Sequence, residues 1–140
     1  MASTRGRLAQ TEYETLAAFR HAVRRFLAFS AREARGAGIS PQQHQALLAI
    51  KGEPHRGHLT IGELAERLQL RHHSAVGLAD RLVRAGLARR ERSSEDRRQV
   101  HLRLTPRGER LLADLSAAHR AELGRIGPEL RALLARLGRD

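Results

Sequence analysis

The chain has 140 residues, enough for one compact unit with a buried core and too few to make an appended second domain the natural reading. Its formal charge is +11 and its isoelectric point about 11.7, so attraction to a polyanion is expected before any motif is read. The absence of cysteine excludes disulfides, thiol redox switches and thiolate zinc sites. The N-terminal MASTRGRLAQ lacks the apolar run of a secretory signal, and no stretch approaches the ~20 apolar residues of a membrane span, so a cytoplasmic protein is expected.

Residues 12–35 carry Tyr13, Leu16, Phe19, Val23, Phe26, Leu27 and Ser30 at steps of three and four, with arginines between them, which predicts a long amphipathic helix. Gly36-Ala37-Gly38 should end it, because glycine accepts the left-handed turn that closes a helix. Ser40 then caps a second helix with Pro41 at its first position and Gln43 completing a capping box. That helix runs to about Lys51 and buries Ala46, Leu47 and Ile50. Residues 52–58 read as a loop.

Thr60 and Glu63 form another capping box, opening a helix that buries Ile61, Leu64, Ala65 and Leu68. After the turn Gln69-Leu70-Arg71, a helix over roughly 72–85 places Ala75, Leu78, Ala79 and Leu82 on one face. His72, His73, Gly77, Asp80, Arg81 and Arg84 fall on the other, and Gly86 ends the helix. Residues 87–92 and 99–104 alternate, with Val100, Leu102 and Leu104 on one side, as a half-buried hairpin requires. Thr105-Pro106 caps a final helix containing Leu111, Leu112, Leu115 and Leu123. Gly127-Pro128 is expected to interrupt it before a short amphipathic stretch over 129–137.

Two short helices followed by an arginine-loaded hairpin is the order of a winged helix-turn-helix. Between Arg71 and Arg107 ten arginines stand against Asp80, Glu91, Glu95 and Asp96, a local charge of +6. Arginine, unlike the single lysine Lys51, grips a phosphate or a guanine at two points. A helix-turn-helix lays its second helix in the major groove, and the N-terminus of that helix here is Arg71-His72-His73-Ser74, where the helix dipole also favours a phosphate. At the hairpin tip, Ser93-Ser94-Glu95-Asp96-Arg97-Arg98, a flexible arginine can enter a narrow minor groove while a neighbouring carboxylate holds its guanidinium. The plainer alternatives are a solvated helix face and a polar hairpin turn.

Other chemistries find less support. His55 with His58 and His72 with His73 are the only close histidine groups, and neither has further ligands nearby in sequence, so no metal site is expected. There is no glycine-rich phosphate loop, and the one local Ser, His and Asp grouping, His73, Ser74 and Asp80, lies on the helix better suited to DNA docking. No catalysis and no cofactor are expected. The competing class is an architectural DNA- or RNA-binding winged helix, which basic charge supports equally well.

The segments ELAERL (63–68), DRL (80–82), AGL (85–87), DRR (96–98) and LTPRGERLL (104–112) together resemble the MarR family of bacterial regulators. The resemblance implies a mainly α fold with a small β-hairpin wing, a winged helix-turn-helix whose N- and C-terminal helices form a dimerisation region. A single domain over 1–140 would use 12–51 and 106–138 for dimerisation and 59–105 for DNA. The terminal amphipathic helices, with too little between them to bury both faces, also point to a homodimer. The DNA-binding candidates are Arg71, His72, His73, Ser74, Gly77, Arg81, Asp96, Arg97 and Arg98, with Arg98 implied as the minor-groove arginine and Asp96 as its anchor. Arg71 stands where the family usually has a serine-type cap, and Gly77 where it often has an arginine. Phe19, Val23, His44 and Leu48 are implied as lining a pocket for a small aromatic or hydrophobic effector. The implied role is a repressor on a pseudo-palindromic operator, released by that ligand.

Overall fold

The computed structural model describes residues 6–138. Five helices, α1 (Gln10–Gly36), α2 (Pro41–Lys51), α3 (Ile61–Leu68), α4 (His72–Arg84) and α5 (Pro106–Leu137), accompany three strands, β1 (His58–Thr60), β2 (Ala88–Arg92) and β3 (Val100–Leu104). They fall into two compact units. The central one is Ala31–Ala117, and the other comprises the chain ends up to Ser30 and from Ala118. Both boundaries lie inside long helices rather than in loops.

The central unit is a winged helix-turn-helix, as the residue patterns predict. Leu47 and Ile50 of α2, Leu64 of α3, Leu78 and Leu82 of α4, and Leu59 and Leu102 of the sheet are all buried in one cluster. Each such side chain contributes roughly 1.5–3 kcal/mol relative to exposure. The three strands form an antiparallel sheet ordered β1-β3-β2. Its register pairs Leu59 with Leu102 and Ala88 with Leu104 on the buried face; His58 with Arg103, Thr60 with His101 and Glu91 with His101 lie on the opposite face.

The boundaries follow the local chemistry. At the end of α1, Gly38 adopts φ 85 and Ile39 N–H donates to Ala34 O at 3.1 Å, the six-residue closure that also brings two core side chains together. Ser40 Oγ accepts from Gln43 N–H at 3.0 Å while Gln43 Oε1 accepts from Ser40 N–H at 2.8 Å. Thr60 and Glu63 repeat the arrangement at 3.1 Å in both directions. The turn between α3 and α4 depends on Gln69 in the left-handed region at φ 53, which lets Leu70 N–H reach Ala65 O at 2.8 Å. Gly86, at φ 73, closes α4 in the same manner.

Two expectations are corrected. Residues 52–58 read as a loop, yet His58 opens β1, whose three residues pair with β3 ahead of the Thr60 cap; a strand of that length is too short to display an alternating pattern. Helix α5 runs through Gly127-Pro128 without a break. Pro128 costs the carbonyl of Gly124 its helical donor, yet a residue without Cβ at that carbonyl leaves room for the ring.

In the unit formed by the chain ends, Thr15, Ala22, Ser30 and Leu133 are buried. Ser30 Oγ lies 2.8 Å from His119 Nε2, and the His119 ring meets Phe26 and Phe29 edge-on. Tyr13, Leu16, Leu27, Leu123 and Leu134 remain exposed.

Candidate nucleic-acid interface

The two sequence-predicted groups sit on α4 and on the β2–β3 tip of the central unit. Arg71 occupies the N-cap position of α4 with extended backbone (φ −68, ψ 152), and its side chain makes no cap hydrogen bond. The first turn also holds no acidic residue. The free N–H groups of that turn, the positive end of the helix dipole and exposed Arg71, His72 and His73 therefore present concentrated positive potential to an anion. Ser74 and Gly77 are half-buried one turn on. A Cβ at Gly77 would lie 3.5 Å from Arg81 Nη1, so the Arg81 guanidinium extends over the space that the glycine leaves open.

The wing is tied to this helix. Asp80, on α4, forms an ion pair with Arg90 of β2, linking the two candidate elements through a charge-assisted bond. At the tip, Ser93 Oγ accepts the N–H groups of Glu95 and Asp96, both at 3.2 Å, and Gln99 N–H donates to Asp96 O at 3.0 Å. Arg97 and Arg98 project exposed from this turn. The carboxylate of Asp96 accepts the backbone N–H of Arg98 at 3.0 Å, so it anchors the chain at Arg98 rather than its guanidinium. An aspartate two residues ahead reaches a backbone N–H with little loss of side-chain freedom, whereas a long arginine must fold back to meet it.

Beneath the tip, around the polar sheet face, lies a set of residues that sequence reasoning did not bring together. Glu91 accepts from Arg89 at 2.8 Å and from Arg103 at 3.0 Å; the Arg103 bond, with Arg89 adding to it, holds its carboxyl below the usual range. Arg56, in the loop before β1, binds Glu63 and Glu53, each at 2.6 Å, and Glu53 also meets Arg67 at 3.1 Å. Arg56 draws the Glu63 carboxyl down to about 2, with the Thr60 N–H assisting. His58 and His101 stack with ring centroids 4.0 Å apart and planes 14° off parallel. The alternation over 99–104 did place His101 and Arg103 together on the polar side, but their partners on β1 and in the preceding loop had no local signal.

The effector candidates divide between units: Phe19 and Val23 are half-buried in the chain-end unit, while buried His44 and exposed Leu48 belong to the central one. Among the described residues no group of three His, Asp or Glu is placed to hold a metal ion, and no helix is long and apolar enough to cross a membrane.

Comparison with known proteins bears on this arrangement. The MarR family model matches residues 37–99, inside the central unit. The HTH-type transcriptional repressor MdtR of Bacillus subtilis is similar at 31% identity over 88 residues, 63% of this chain and 55% of that protein. The chain spans about half the length of the curated relatives it matches. Among solved structures, a MarR family protein from Bacillus stearothermophilus superposes with a TM-score of 0.77 at 23% identity, covering 96% of this chain and 100% of that one. A MepR variant from S. aureus, bound to an oligodeoxyribonucleotide, gives 0.68 at 19% identity and covers 86% and 93%. The motif set and the winged helix-turn-helix agree with the match to the MarR family over residues 37–99.

Proposed function

We propose that the protein is a transcriptional regulator that binds double-stranded DNA as a homodimer, and that it acts in the cytoplasm as a repressor on a pseudo-palindromic operator. It is a binding protein rather than an enzyme. The observation that carries this reading is the uncapped, cationic N-terminus of α4, joined through Asp80 and Arg90 to a wing whose tip exposes Arg97 and Arg98. In this reading Arg71, His72, His73 and Ser74 meet phosphates and base edges in the major groove, with Arg81 crossing Gly77 to reach further along it. Arg98 enters the flanking minor groove. The name of MdtR as a repressor and the oligonucleotide bound to the MepR variant support the same assignment.

Selection of random duplexes on the pure protein tests it. A regulator recovers one palindromic sequence and retains its preference as salt is raised, while an architectural protein recovers a mixed pool whose binding fades uniformly with salt. Release by a small aromatic or hydrophobic effector completes the proposal. A screen of aromatic carboxylates and hydrophobic drugs should yield a compound that raises the melting temperature and weakens operator binding. Compounds that stabilise the protein without altering operator affinity would remove the effector from the scheme.

A further inference from the structure

We propose that the stacked His58 and His101 form a proton-operated latch at the base of the wing: neutral rings hold β1 against β3, and protonation parts them. The two residues lie on adjacent strands of the sheet's polar face, with ring centroids 4.0 Å apart. A stack of that spacing suits neutral imidazoles, and a charge on the His58 ring is opposed by what surrounds it. Imidazolium carries two N–H donors, yet Nδ1 of His58 is buried with no hydrogen-bond partner. Charging the ring would therefore create a buried donor without an acceptor.

The neighbouring charges on the elements packed against the pair either disfavour a positive His58 or are carboxylates already engaged by arginines. Arg56 in the preceding loop and Arg103 on β3 are both close enough to disfavour a positive His58. Glu63 on α3 favours it, but its carboxylate is bound to Arg56 at 2.6 Å. Glu91 on β2, opposite His101 in the register, is held between Arg89 and Arg103. The rings border an open groove of about 580 Å³, lined by Arg56, Arg92 and Arg103 against Glu91, Glu95 and Asp96. Three cations face three carboxylates, so the groove is balanced only while both imidazoles are neutral.

Burial first, then His101 and the two arginines, lowers the His58 pKa from its ordinary 6.5. A base whose folded pKa is depressed binds more protons when the structure opens. The latch is thus intact above the ordinary histidine value and weakens as pH falls below it. Its consequence for DNA rests on the function proposed above: a loosened β1–β3 seam unsettles the strand that leads from the Arg98 tip.

The test uses the full chain, with histidine ring signals followed by NMR and amide exchange measured across β1 and β3 from about pH 8 to pH 5. After correction for intrinsic exchange, opening at Leu59 and Leu102 should rise about threefold or more over that range. The double variant His58→Phe with His101→Phe keeps a stack and cannot protonate, so its seam should show no such rise. If that variant fails to fold, His101→Gln serves instead, and the His58 ring should then titrate closer to its ordinary value. A parental seam whose opening does not change with pH, or a double variant with the parental pH response, overturns the latch. DNA titrations with and without Arg98→Ala separate the two readings. Seam opening on acidification in a protein that binds no duplex upholds the latch and sinks the DNA assignment. A pH-insensitive seam with Arg98-dependent binding does the reverse.

Discussion

At Arg98 the proposed contact divides into a charge that reaches DNA and a backbone turn that aims it. Removing the charge with Arg98→Ala should cost about 1–3 kcal/mol of operator affinity and reduce the salt slope by ~1 per subunit, most on operators with A·T-rich flanks. Because Asp96 holds the N–H of Arg98, Asp96→Asn keeps an acceptor at that position and should bind within about twofold of the parent, while Asp96→Ala should lose more. Titrations at several salt concentrations read both effects, and an Asn variant as weak as the Ala variant would restore an ionic anchor. The sequence made these residues legible as a polar tip with paired charges, but it could not tell which atom of Arg98 the carboxylate holds. Gly108 shows the same limit. It stands inside a recognisable segment, yet only the fold reveals that a Cβ there would lie 2.0 Å from Leu87 O, where the start of α5 crosses the chain leaving α4. Gln69 falls in an expected turn, and its left-handed backbone likewise has no sequence signal.

Helix ends carry the next predictions. Arg71 leaves the N-terminus of α4 without a side-chain acceptor, where a serine would supply one. Arg71→Ser should therefore stabilise the protein by about 0.5–2 kcal/mol in urea unfolding while weakening DNA binding and lowering its salt slope. A variant that gains stability and keeps full affinity would show that Arg71 has no part in the interface. At α3, Glu63 serves both the capping box and the ion pair with Arg56, and its carboxyl sits near 2 instead of the ordinary 4.5. A carboxyl lowered on folding stabilises the native state above its unfolded value. That contribution is lost as pH falls from 4.5 toward 2, when the unfolded chain takes up the proton more readily. Glu63→Gln preserves a capping side chain without the charge, so its unfolding free energy should fall less steeply over that interval; parallel acid limbs would remove Glu63 from the acid response. Helices and caps were legible because their signals are local: Ser40 and Thr60 both cap as their spacing requires. Strand β1 was not, since three residues acquire strand character only by pairing with β3 some forty positions away.

For the whole molecule, exposed apolar surface is unevenly distributed. Among the described residues, Leu8, Tyr13, Leu16, Leu27, Leu123 and Leu134 are large exposed hydrophobic side chains in the chain-end unit, against Leu48 alone in the central unit. The central unit has a closed core, whereas the ends present exposed apolar helix faces, and in the proposed homodimer a second copy of the same helices would cover them by symmetry. Light scattering should accordingly give twice the 15.6 kDa chain mass. Leu123→Glu with Leu134→Glu should return it to one chain. Neither residue belongs to the central core, so α4 and the wing should keep their fold, as judged by amide exchange in β3 and α4. A dimer binds two half-sites about one helical turn apart, and its advantage over a monomer resides in engaging both at once. The double variant should therefore bind a single half-site as the parent does and lose the additional affinity for the palindrome. A monomeric variant that binds the full palindrome with parental affinity would sever dimerisation from recognition.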